Sequence, residues 1–175
     1  PMSVPSARLD ALRAALRGTL LLPGEPGYDT ARAVWNGMID CRPAVIVRAA
    51  GAADVIQAVR LAQETGIELS VKGGGHNIAG KATCDGGLLL DLSAMRSVRV
   101  DAAKKTARVE PGALLSDFDR ETQAFGLATT GGTIGDTGIA GLTLGGGFGW
   151  LGGRLGMTVD NLLSAEEKRQ RIQAH

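Results

Sequence analysis

The sequence predicts an α+β domain, and three observations carry that assignment. An apolar run at Ala44–Val47, a helical period and a second run at Ile67–Val71 follow one another, with about 19 residues between the two runs. That spacing suits two parallel strands joined by a right-handed crossover helix. Farther along, Ser97–Asp101 and Thr106–Glu110 read as strands joined by the short polar turn Ala102–Lys105, which is the arrangement of a hairpin. Finally, two helical periods each end on a glycine, Gly66 and Gly126, the residue most at home where a helix stops. One βαβ unit thus feeds a mostly antiparallel set of strands, with helices flanking them.

In chain order, Ser6–Arg17 opens with a short amphipathic helix whose Leu9, Leu12 and Leu16 share a face. Residues 18–30 carry Pro23, Gly24, Pro26 and Gly27 and read as a lead-in loop. Helix Ala53–Thr65 presents Val55, Val59 and Ala62 on its apolar side. Gly87–Leu92 (GLLLDL) is a third candidate strand. Leu114–Phe125 returns to the helical period, with Leu115, Phe118 and Thr122 aligned. Ala128–Gly156 is dense in glycine, and Glu166–His175 is charged and reads as a frayed helix or tail.

Composition excludes several partner classes. The formal net charge is +1 and aromatic residues are 3% of the chain, so neither a basic footprint nor a stacking platform for nucleic acid is present. No apolar run approaches the ~20 residues that span a bilayer. The expected partner is a small molecule, with no nucleic acid or membrane; oligomeric state is not readable. Cys41 and Cys84 make neither a disulfide framework nor a zinc spacing, no metal is expected, and two reduced thiols imply a cytoplasmic location.

The outlier is glycine, with 26 residues, about twice the usual share. Val71-Lys72-Gly73-Gly74-Gly75-His76-Asn77-Ile78-Ala79-Gly80 places one of only two histidines directly after three glycines. Gly75 to Lys81 matches the pattern of a phosphate loop, but Ala82 stands where a magnesium-binding hydroxyl is required, and a turn follows instead of a helix. Gly147-x-Gly149-x-x-Gly152 matches a dinucleotide fingerprint, but further glycines interrupt any following helix and no second βα unit follows. Taken together, the two glycine regions fit one large ligand. A glycine run at a strand end offers free N–H groups to a diphosphate, while Gly131–Gly149 offers a ribbon of backbone to a flat ring system.

VKGGGHNIAG, then LLLDLSAM, ARVEPGA and GLATTGGTIGDTGIAGLTLGGGFGWLGGRLGMTVDNLLSAE, resembles the FAD-binding PCMH-type domain. This domain occurs in FAD-linked oxidases of the vanillyl-alcohol oxidase and berberine-bridge-enzyme type. The likeness runs from about Arg42 to Glu166. It implies that Lys72, Gly73, Gly74, Gly75, His76 and Asn77, with Gly80, wrap the diphosphate of FAD, and that His76 bonds covalently to the flavin. It implies a turn near the adenine at Pro111 and Gly112. It further implies a second cofactor ribbon at Gly132, Gly135, Gly138, Ala140, Gly141, Thr143, Gly145, Gly146 and Gly147. A second tether found in some members uses a cysteine; Ile134 occupies that place here, so His76 is expected to be the single attachment.

The organisation that follows is an N-terminal helix and lead-in at 1–41, a partial FAD-binding PCMH-type domain at 42–166 and a polar tail at 167–175. Family members continue past the counterpart of Glu166 into a substrate half, whereas this sequence turns to EKRQRIQAH. The resemblance therefore implies the FAD-binding portion, truncated, of an oxidoreductase that oxidises an alcohol or sugar-type substrate with O2 as acceptor. A catalytically silent fragment that binds FAD weakly or not at all is the alternative. Catalytic residues are not assignable.

Overall fold

The computed structural model describes residues 4–166, so the tail at 167–175 lies outside the described residues. Helix α1 spans Ser6–Ala15, shorter than expected because Leu16 is already extended, and it buries Leu12. Strand β1 (Thr19–Leu21) and helix α2 (Tyr28–Arg32) both fall in the segment expected to be a lead-in loop. Their cause is apolar content. Leu20, Leu21, Tyr28 and Ala31 are all buried, and the Tyr28 hydroxyl donates to the Pro43 carbonyl at 2.6 Å.

Strand β2 (Val45–Arg48), helix α3 (Ala52–Thr65) and strand β3 (Leu69–Lys72) form the expected crossover unit. Gly66 closes α3 with a left-handed φ of 66°, a conformation that costs glycine nothing. Strand β4 (Leu88–Asp91) then inserts between the two, giving the order β1-β2-β4-β3. It pairs parallel with both neighbours, while β1 pairs antiparallel with β2. The expected antiparallel character is therefore confined to β1 and to the separate hairpin of β5 (Val98–Asp101) and β6 (Thr106–Val109). All four β4 residues are buried, as expected of a central strand covered on both faces.

One face of this sheet packs Val45, Val47, Leu88 and Leu90 against Leu12 of α1 and against Ala58, Leu61 and Ala62 of α3. A smaller cluster, Leu21, Tyr28, Ala31, Ile46 and Leu89, fills the other face. Residues of the first 41 thus belong to the same core as the rest. Helix α4 (Leu115–Gln123) lies against β5. The glycine-dense stretch contains helix α5 (Ile139–Leu144), helix α6 (Gly152–Leu155) and a 3-10 turn at Val159–Asn161. Among the described residues no helix is long and apolar enough to cross a membrane.

Candidate cofactor site

Because β2, β4 and β3 run parallel, their carboxyl ends meet at one edge, where Arg48, Asp91 and Lys72 stand in register. Such an edge is where ligands of open α/β sheets bind. The Arg48 guanidinium lies 3.2 Å from the buried Asp91 carboxylate, and the Lys72 ammonium lies 3.7 Å from it. Lys72 also donates to the Ala31 and Ala33 carbonyls. Burial pulls the Lys72 amine below its usual range, opposed by the Asp91 charge. Its head group is thus committed to the protein, where it ties the end of α2 to β3.

A cleft of about 320 Å3 opens above this edge. Of the residues expected at a cofactor, Lys72, Gly73, Gly74, His76 and Gly112 line it. The backbone N–H groups of Gly73, Gly74, Gly75, His76 and Asn77 donate to no backbone acceptor among the described residues. Five successive unengaged donors suit an anion. Gly75 is buried behind them with φ 74°, its carbonyl accepting from the Trp35 N–H at 3.1 Å.

The second glycine region touches the loop backbone at Gly138 and reaches the cleft through Asp136. A Cβ on Gly74 would overlap the Gly138 nitrogen, and a Cβ on Gly138 would overlap that of Gly74. Two backbones from separate motifs therefore touch, which only glycine at both positions permits. Residues on either side of Gly138 pair with the start of α4: Leu115 N–H donates to the Thr137 carbonyl and Ile139 N–H to the Ala113 carbonyl. The Pro111 carbonyl sits beside Gly73, and Gly112 fits tightly under the Leu92 carbonyl.

Other expected residues do different work in this structure. The Asn77 carboxamide accepts from the Lys81 N–H at 3.0 Å, and Gly80 packs on Ile39, so both shape the turn after His76. Gly132 faces Leu115, and Gly135 accepts from the Ser116 N–H. Ala140, Gly141 and Thr143 lie on α5, where the Thr143 hydroxyl donates to the Ile139 carbonyl. Gly145 ends that helix, and the Gly146 and Gly147 carbonyls accept from Val159 and Thr158. None of these lines the cleft.

The cleft also contains residues the sequence did not single out, notably Trp35, Ser93, Arg96 and Asp136. Trp35 stacks on the His76 ring with centroids 5.3 Å apart and planes 22° from parallel. The Asp136 carboxylate lies 3.4 Å from His76 Nε2. Arg96 is held by Asp117 through two bonds of 2.8 and 2.7 Å, and that guanidinium holds the Asp117 carboxyl below the usual carboxylate range.

The sequence pattern of the FAD binding domain matches residues 43–167, most of the chain. The chain belongs to the FAD-binding domain family. This FAD-binding domain is 40% identical over 151 residues to (R)-6-hydroxynicotine oxidase of Paenarthrobacter nicotinovorans, covering 86% of this chain and 33% of that protein. Its fold superimposes on 6-hydroxy-D-nicotine oxidase of Arthrobacter nicotinovorans with a TM-score of 0.81 at 39% identity, over 83% of this chain and 32% of the other. A chitooligosaccharide oxidase gives a TM-score of 0.80 at 29% identity, over 88% and 33%. The chain thus spans about a third of the length of these FAD-linked oxidases.

The residues present fit the cofactor. A row of unengaged N–H donors, in a cleft that Ser93 and Arg96 also line, suits a diphosphate, and the Gly74–Gly138 contact leaves no side chain between loop and ribbon.

Proposed function

We propose that this chain holds FAD with the diphosphate on Gly73–Asn77 and the flavin bonded covalently to His76 alone. The observation that carries this reading is the run of unengaged backbone donors ending at a half-buried imidazole on the cleft. Bound there, the cofactor would accept a hydride from the substrate and pass the electrons to O2. The protein's own part is to bind and orient it. Gly73 and Gly74 let the backbone approach, and the His76 imidazole offers a nitrogen nucleophile. Lys72 contributes by fixing the loop's base. The wider cofactor set expected at Pro111, Gly112, Gly132, Gly135, Gly138, Ala140, Gly141, Thr143 and Gly145–Gly147 belongs to the same proposal. There, Gly138 and Gly112 are the positions supported by contact with the loop or cleft.

In the whole protein the substrate is an alcohol or sugar-type small molecule, a class supported by the structural neighbour named a chitooligosaccharide oxidase. Residues 42–166 form the cofactor domain. Two free cysteines support a cytoplasmic location. The second reading, a chain that binds FAD without turnover, draws on its covering only a third of its relatives' length.

The test is flavin content. Protein expressed with FAD and then denatured in acid should show a fluorescent band on a gel. His76→Ala should lose that band yet keep flavin that separates on denaturation. Absence of any flavin from both proteins would defeat the reading. Peroxide release across a panel of alcohols and sugars separates the oxidase from the silent binder.

A further inference from the structure

We propose that Asp136 is a positioning residue for His76, acting with Trp35 to fix one tautomer and one ring orientation before the cofactor arrives. This rests on the attachment of flavin through His76. Two independent contacts carry it. The Asp136 carboxylate lies 3.4 Å from Nε2, within ion-pair reach though not in hydrogen-bond geometry, and so favours the neutral ring that keeps its proton on Nε2 and its lone pair on Nδ1. Contacts of this kind are commonly long before a ligand is bound. The Trp35 ring lies nearly parallel to the imidazole, which restricts rotation about the side-chain torsions. The Trp35 backbone is itself anchored: its main-chain N–H donates to the Gly75 carbonyl, and the Asn36 carboxamide next to it donates to the Ile78 carbonyl at 3.0 Å. The histidine loop is therefore held on both sides by one short segment.

The arrangement also has an electrostatic use. An Nδ1 lone pair that bonds to carbon leaves the ring positively charged until Nε2 gives up its proton, and a carboxylate at that nitrogen stabilises the charge. In net terms, one hydrogen leaves the flavin's methyl carbon and one leaves Nε2, and an N–C bond forms. Dioxygen takes the two electrons and two protons as hydrogen peroxide. Asp136 comes from the glycine-dense ribbon and His76 from the strand loop, so the pair forms only where the two regions meet at Gly74 and Gly138.

The test begins without cofactor. The 15N shifts of the His76 ring, assigned with a His175→Gln variant and recorded across a pH series, report protonation and tautomer directly. Nε2 should carry the proton in the wild type. Asp136→Asn, which keeps a carbonyl acceptor, should preserve that tautomer, while Asp136→Leu should give a mixture. The second readout is the rate at which acid-stable flavin accumulates on added FAD. It should slow about ten-fold or more in both variants, the size of one charge-assisted hydrogen bond, with circular dichroism unchanged. Trp35→Leu should broaden the ring signals and slow loading as well. A wild-type proton on Nδ1 would overturn the proposal, as would an Asp136→Leu protein with an unaltered tautomer and loading rate. The expected tautomer with no acid-stable flavin in any protein supports the positioning role and defeats the attachment reading instead.

Discussion

At the scale of single residues, glycines that look alike in the sequence divide by what surrounds them. Gly74 and Gly138 touch backbone to backbone, whereas a Cβ on Gly141, in helix α5, meets nothing within 4 Å. Gly74→Ala should therefore lower stability by about 2–3 kcal/mol through overpacking. Gly141→Ala should raise it by about 0.5–1 kcal/mol through reduced chain entropy. Urea midpoints at unchanged slope are the measurement. A Gly141→Ala protein that is destabilised would show that the ribbon at α5 is tighter than these contacts indicate. The loop at Gly73–Gly75 was readable beforehand because consecutive glycines before a histidine have few structural uses. Trp35, Ser93, Arg96 and Asp136 were not, because they come from three separate segments and only the folded topology assembles them.

At the scale of elements, α3 is fastened to the turn between α1 and β1 by one buried carboxylate. Asp54 accepts the N–H groups of Ala50, Arg17 and Gly18 at 2.8, 3.0 and 2.9 Å. Burial pushes this carboxyl up, but the three backbone donors outweigh it and leave the group below the usual carboxylate range. A folded-state pKa that is lowered gives stability that is present above the unfolded value of about 3.9 and lost as pH falls through the folded value. Asp54→Asn should therefore cost about 2–3 kcal/mol at neutral pH, and the gap to the wild type should close below about pH 4. A gap independent of pH would mean that the carboxylate's charge plays no part. The elements themselves were unevenly legible. Helix α3 announced itself through fourteen residues and a closing glycine. Strand β1 has three residues next to Pro23 and Gly24, too short for any alternation to register. The place of β4 between β2 and β3 was hidden for another reason: LLLD states burial but not direction, and pairing is settled by the sheet as a whole.

At the scale of the molecule, the segment from α5 onward carries much uncovered apolar surface. Leu144, Phe148 and Trp150 are 86%, 77% and 88% exposed, and Leu163 is 80% exposed. Exposed apolar groups so close in the chain promote association. The apparent mass of the 175-residue chain, read from light scattering, should therefore rise with concentration. A Phe148→Ser, Trp150→Ser double variant should scatter less at the same concentration with its melting temperature within a few degrees of the parent. Equal scattering by the two proteins would place the sticky surface elsewhere.

The touch between Gly74 and Gly138 also has a temporal side. The two residues stand 64 positions apart in the chain, and a ribosome adds roughly 5–20 residues per second. The strand loop with its histidine thus leaves the ribosome several seconds before the segment that becomes its opposite wall. During that interval the loop's donors lack their opposite wall, so the proposed site is complete only in chains that have grown past the ribbon.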